Sequence, residues 1–285
     1  MFIELNNTVN LIGDLFKKAE ETVKSDIDLA FPQACEEQIT VVLQLELAKI
    51  LNKANQQKEI ERAFQKDIDR GIRESLLPTS TSNHIKALSN GIVAKVSWHK
   101  RNIEQKTGGD LGLLIVQPEV SFFNRKISLS RCKNERGLLV QAKLKKNNES
   151  WGHLTANQRK ILKDRVNYLS LLRYEFIDQE NRKLKDFYWT LCNGASIINV
   201  IEWLKKDDFP KNQTSKEIIT NLGLGNIGTN DQQIINSVII PTRNGQTIFI
   251  KIDWEDTDPG TAVFNLNKSL QTVVKQNANV KLLKI

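Results

Sequence analysis

Cysteine is scarce in this 285-residue chain: Cys35, Cys132 and Cys192 are odd in number and set far apart. They offer neither a disulfide framework nor a metal-ligand spacing, which fits a reducing cytoplasm. Histidine is equally rare, and the three histidines make no zinc pattern with the cysteines. No apolar run reaches the roughly eighteen residues that a membrane span needs. The opening residues, Met1-Phe2-Ile3-Glu4-Leu5-Asn6-Asn7, put no basic stretch ahead of an apolar core, so no signal peptide is expected. A cytoplasmic location without membrane contact is the resulting expectation. Internal repeats, a nucleophile elbow and kinase signatures are all missing. Gly223-Leu224-Gly225-Asn226-Ile227-Gly228 has the glycine spacing of a dinucleotide loop. That fingerprint needs a strand before it and a helix after it. Here a helix is predicted before it, so the glycines read as a turn.

What is present is a globular profile, 26% charged and 40% hydrophobic, with a net charge of +8. The excess charge favours an anionic partner, nucleic acid ahead of a membrane surface. Apolar spacing predicts a helix within residues 1–30 and a second opened by Pro32, with Glu36 and Glu37 in its first turn. Residues 53–75 are polar and helix-forming, and 76–90 read as a loop. Strands are predicted over 92–98, 111–117 and 138–144, with a hairpin or long loop over 120–137. A helix is expected over 155–174, a strand over 187–192 and a short helix over 197–206. Thr214-Ser215-Lys216-Glu217 fits a capping box opening a helix that ends near Gly223. Two strands are expected over 234–240 and 247–252, then an amphipathic tail over 269–285.

The chemistry concentrates in two of these strands. Thr107-Gly108-Gly109-Asp110 sets an acid at the mouth of the apolar run Leu111–Val116. Gln141 and Lys143 interrupt the later run Leu138–Leu144 and share one face of it, because side chains alternate along a strand. Polar groups on apolar strands are costly unless paired or functional. A carboxylate and an amide oxygen suit a hard divalent cation. A lysine beside them can stabilise negative charge developing on a phosphate. Taken singly, each has an ordinary reading: a turn Asp, a hydrogen-bonded core Gln, a snorkelling Lys. Gln158 has one too, since Thr155-Ala156-Asn157-Gln158 fits a capping box.

Asp110 followed by Gln141-Ala142-Lys143, in an α-β-β-β-α-β order of elements, resembles the PD-(D/E)XK nuclease superfamily in its variant with Gln in the third motif position. The resemblance spans residues 32–192. The longer string Glu104-x-x-Thr107-Gly108-Gly109-Asp110 resembles prokaryotic members with Glu-x-x-Thr-Gly-Ala-Asp before a Gln-Ala-Lys strand, often restriction or phage-defence components. Two positions depart from the eponymous motif. Gly109 stands where Pro would precede the Asp, and Gln141 replaces the usual acid.

The resemblance implies an α/β fold with a restriction-endonuclease-like core, a mixed sheet flanked by helices. Residues 1–90 would be a helical N-terminal segment contributing the first core helix, 91–194 the nuclease-like core, and 195–285 a C-terminal extension or small lobe. It implies a metal-dependent nuclease using Mg²⁺ or Mn²⁺, with DNA as the first-choice substrate. Asp110 and Gln141 would hold the metal, with a Glu from the helix before the strands. Glu37 is preferred for that place over Glu36 and Glu46. Glu104, on the turn into its strand, would reach the same metal or position a water. Lys143 would stabilise the transition state. Gln158, Lys145, Lys146, Arg125, Lys126 and Arg131 would grip the nucleic-acid backbone. The alternatives are a catalytically inactive nuclease-like binding or assembly module, and a subunit of a defence complex. A homodimer stays open.

Overall fold

The computed structural model describes residues 5–30, 35–52, 93–99, 101–123, 126–146, 150–176, 184–241 and 247–248, with scattered positions between 59 and 70. In chain order come helices α1 (Asn6–Ala30) and α2 (Glu36–Asn52), strand β1 (Val93–Trp98) and helix α3 (Arg101–Thr107). Strands β2 (Leu111–Phe123), β3 (Lys126–Lys146) and β4 (Ser150–Trp151) follow, then helix α4 (Ala156–Leu162). A single 3₁₀ turn leads into β5 (Leu169–Phe176) and β6 (Leu184–Leu191). Helices α5 (Ile197–Lys206), α6 (Ser215–Gly223) and α7 (Gln232–Ile234), a π-helical turn Ile235–Ile239 and strand β7 (Thr247–Ile248) complete the described elements.

The strands form one open mixed sheet in the order β6-β5-β3-β2-β1-β7, with β4 paired to β3. Of its pairings, β3 with β5 is parallel and the others are antiparallel. Strand parity then decides what covers each face. Leu111, Leu113, Ile115, Val140 and Ala142 pack with α1, α2 and α6. Leu114, Leu139, Leu169 and Leu171 face the other way, packing with Leu162 of α4, Val200 and Leu204 of α5, and the π-helical Ile235 and Ile239. The chain is therefore α/β with helices on both faces of the sheet, and α6 shares one core with α1. No helix among the described residues is long and apolar enough to cross a membrane.

Two expectations change. The helix predicted over 155–174 ends at Leu162, and Leu169–Phe176 is instead a strand parallel to β3. Its first six residues are all buried, so the run has no alternation to betray it. The segment predicted as a strand over 234–240 is helical through Ile239, not extended: the Asp231 side chain accepts from Gln233 N and Ile234 N and caps the turn. Of the two readings of 120–137, the hairpin holds: β2 and β3 pair antiparallel out to Phe123 and Lys126. The loop at 76–90, most of the helix-forming stretch 53–75, the tail at 269–285 and the later part of the 247–252 strand lie outside the described residues.

Candidate active site

The site forms where β3 outruns β2. Their pairing ends at Leu111 opposite Val140. Beyond that point the backbone donors of β3 that face β2 have no strand partner, and buried N–H groups need acceptors. Two carboxylates supply them. Ala142 N donates to Asp110 Oδ2 at 2.6 Å, and Leu144 N donates to Glu36 Oε2 at 2.8 Å. Asp110 comes from the mouth of β2, Glu36 from the first turn of α2. Lys143, buried between those two donors in sequence, donates to Glu36 Oε1 at 3.3 Å.

The glycine pair makes this approach possible. Gly108 adopts a left-handed φ of +80°, which side chains disfavour. A Cβ on Gly109 would stand 2.5 Å from Leu139 Cδ1 and 2.9 Å from the Val140 carbonyl. The turn therefore lies against β3, and Asp110 N donates to Val140 O at 2.8 Å. His99 pins it from behind. Its backbone N–H donates to Asp110 O at 2.8 Å, its Nδ1 lies 2.9 Å from both Thr107 Oγ1 and Gly109 O, and its Nε2 lies 3.1 Å from Ile239 O. Burial lowers the His99 pKa, against the raising pull of the Ile239 and Gly109 carbonyls. Nothing in the spacing of the sequence singled this histidine out.

A relay of amides orients Gln141. The capping box of α4 is formed: Gln158 N donates to Thr155 Oγ1 and Thr155 N donates to Gln158 Oε1 at 2.9 Å. A backbone N–H needs an oxygen, so Gln158 must turn its Nε2 inward. That nitrogen donates to Glu104 Oε1 at 2.8 Å and to Gln141 Oε1 at 3.4 Å. Gln141 in turn presents its nitrogen, not its oxygen, to Asp110 Oδ2. The capping and site readings of Gln158 thus hold together, because one side chain serves both.

Glu36, Glu37, Glu104, Asp110, His99, Arg101 and Lys143 line one cleft of about 490 Å³, walled by Cys35, Thr40, Leu144, Gly152 and His153. Burial raises the Asp110 pKa to about 7; Lys143 pulls it down, while Glu36 and Glu104 push it up. Glu104 is raised in the same way, by burial first, with Lys143 and Gln158 opposing and Glu36 and Glu37 adding. It sits on the short helix α3 rather than on a turn. The preference for Glu37 over Glu36 is reversed in one respect: Glu36 contacts β3, whereas Glu37 is exposed on the cleft wall. Glu46 is elsewhere, paired with Lys49 at 2.8 Å.

The four carboxylates lining the cleft supply oxygens, which suit a hard cation, and Asp110 Oδ1 has no hydrogen bond among the described residues. Those donors surround the cleft rather than close on a point: no group of three His, Cys, Asp or Glu among the described residues forms a ready metal cluster. Mg²⁺ keeps several waters and takes one or two carboxylates, so a spread set still fits it.

The expected backbone grip is met less fully. Lys145 is committed to Asp207 at 2.7 Å and Glu175 at 3.7 Å, and stacks over Trp151. Its charge is spent inside the protein, so it does not serve as a free phosphate contact. Arg125 and the side chains of Lys126, Arg131 and Lys146 lie outside the described residues. The glycine-rich segment after α6 is a turn, with positive φ at Gly225 and Gly228. No family model, curated protein or solved structure matches the chain.

Proposed function

We propose that this chain is a metal-dependent nuclease with a restriction-endonuclease-like core, hydrolysing phosphodiester bonds in nucleic acid, DNA first, in a prokaryotic restriction or phage-defence setting. One observation carries the reading. A helix (α2), the mouth of β2 and the open end of β3 deliver Glu36, Asp110 and Lys143 to one cleft, with Gln141 buried behind Asp110; the short helix α3 is an addition, between β1 and β2, to the α-β-β-β-α-β order the resemblance implies. Ordinary packing does not require a buried lysine and two carboxylates to meet at the unpaired end of a central strand, since each buried charge costs several kcal/mol, roughly, before pairing.

Asp110, with Glu36, Glu37 or Glu104, would hold Mg²⁺ or Mn²⁺, while the Gln141 amide, expected from the sequence as a metal ligand, turns its oxygen to Gln158 and its nitrogen to Asp110. Such an ion supplies Lewis-acid neutralisation of the phosphate charge. Lys143 is fixed by Glu36, and its remaining N–H groups point a positive charge at a phosphate oxygen as charge builds there. Glu36 accepts from Lys143 and Leu144 N and holds that ammonium in place. In the net reaction a water oxygen bonds to phosphorus and the bond from phosphorus to the leaving nucleoside oxygen breaks. One proton of the water ends on that oxygen.

The turned Gln141 amide and the unclosed donor set favour a second reading, a nuclease-like binding or assembly module without catalysis. Incubation with supercoiled and linear DNA in Mg²⁺, Mn²⁺ or EDTA separates the two. Metal-dependent cutting that falls at least about a hundredfold in Lys143→Ala is expected. Cutting that survives this change would sink the mechanism. Salt-sensitive binding without cutting selects the module.

A further inference from the structure

Next to the acidic cleft lies a second, smaller cavity of about 140 Å³, lined by His153, Leu154, Arg159, Ile201, Leu204 and Lys205. His153 lines both, so the two hollows adjoin across the segment that enters α4. Their chemistry is opposite. The cleft carries four carboxylates against Arg101 and Lys143, whereas the small cavity carries Arg159, Lys205 and an imidazole with no acid in its lining. Arg159 and Lys205 are exposed, and neither side chain has an ion pair or hydrogen bond among the described residues. Lys145, one strand away, shows what the fold does with a lysine it needs for structure: two carboxylates neutralise it. The floor is apolar, with Leu154 and Leu204 buried and Ile201 beside them.

We propose that this cavity is a nucleotide subsite for single-stranded nucleic acid, taking the nucleotide beside the bond to be cut. This rests on the nuclease reading of the adjoining cleft. Arg159 and Lys205 hold its phosphate at the rim, and the face of its base lies on Leu154, Ile201 and Leu204. A cleft with four acids repels phosphate, so a cationic holding point alongside is what lets a strand approach. At about 140 Å³ the cavity has room for one unstacked base and no more; paired bases in a duplex have their faces covered by neighbours. The substrate class is therefore a single strand, an overhang or a frayed end.

The test is fluorescence anisotropy with the full chain, in EDTA, on a labelled oligothymidine and on a blunt duplex. Wild type binds the single strand more tightly than the duplex. Arg159→Ala/Lys205→Ala weakens single-strand binding about tenfold at ~0.1 M salt and reduces the salt slope by about 1.4, the contribution of two phosphate contacts on a single strand. Circular dichroism checks that the variant is folded, and Arg159→Lys/Lys205→Arg, which keeps both charges, retains most of the affinity. An unchanged affinity and slope in the double alanine variant overturns the subsite. So does a duplex bound as tightly as the single strand, or no binding of either by wild type. The wild-type plasmid-cutting assay, run alongside, separates this from the parent reading. If wild type never cuts but the double variant still loses affinity, the nuclease reading fails and the subsite stands.

Discussion

Gln141 shows its nitrogen to Asp110 because its orientation is decided behind it, by the Thr155–Gln158 capping box. An acid in its place would keep one oxygen on Gln158 Nε2 and turn the other toward Asp110 Oδ2. Two carboxylates in contact raise each other's pKa, and a cation between them relieves the repulsion. The Asp110 pKa already stands near 7 through burial, so cation affinity in the wild type should climb as pH rises to about 7 and level above it, as the proton is lost. Gln141→Glu should bind Mn²⁺ about tenfold more tightly at pH 8 and reach its plateau at higher pH, while the metal-free variant melts lower. Titration calorimetry across pH and a thermal melt read both. Equal or weaker Mn²⁺ binding would mean the amide faces the cleft through its oxygen after all. At this scale much was legible in the sequence. Strand parity sets Gln141 and Lys143 on one face, and the cost of polar groups on apolar strands together with the family resemblance joined Asp110 to them. The choice between Glu36 and Glu37 was not legible, since it depends on how a helix start is phased, a matter of one residue. His99 escaped because its partners are the Gly109 and Ile239 carbonyls, which no side-chain pattern announces.

Elements with a period or a cap read well from the chain, and elements defined only by what surrounds them did not. Helix α6 announced itself through Thr214 and Glu217, whose reciprocal bonds are present. Strand β5 and the turn at Ile235–Ile239 were each assigned the other class. Neither carries a clean period, since Ser170 and Arg173 interrupt one and Asn236 and Ser237 the other, and only the neighbouring strands or the Asp231 cap decide between extended and helical. The start of α1 is a sharper case. It has no acidic residue in its first turn. Its cap comes from Asp67, sixty positions away, whose carboxylate accepts from Asn7 N at 2.9 Å, Thr8 N at 2.9 Å, Asn7 Nδ2 at 2.8 Å and Thr8 Oγ1 at 2.9 Å. Asp67 and Thr8 are fully buried, so removing the acceptor strands donors that water cannot reach. Asp67→Ala should cost about 2–4 kcal/mol, more than an exposed cap. Urea denaturation checks this, and a loss under about 0.5 kcal/mol would show that α1 does not depend on this cap.

At the scale of the whole molecule, Glu20 joins three parts. From α1 it accepts from Trp189 Nε1 of β6 and from Ser215 Oγ of α6, each at 2.6 Å. Burial lifts its pKa to about 8; the two hydrogen bonds pull it down, and Asp186 and Glu21 push it further up. A carboxyl raised in this way binds its proton more tightly folded than unfolded. Between the ordinary value of 4.5 and about 8 the folded state holds more protons, so stability falls as pH rises through that window and levels above it. Asp110 adds a penalty of the same sign up to about pH 7. Glu20→Gln keeps an acceptor for Trp189 and a donor for Ser215 without a charge, so it should remove Glu20's share and leave that of Asp110. Near pH 5 the variant and wild type should be close in stability. By pH 8.5 the variant should be ahead by roughly 1–2 kcal/mol, a figure kept below the full pKa shift because Glu20 retains some solvent contact. Urea midpoints across pH measure the gap. A gap that is constant with pH would place Glu20's contribution in packing rather than protonation, and one that narrows toward alkaline pH would reverse the sign argued here.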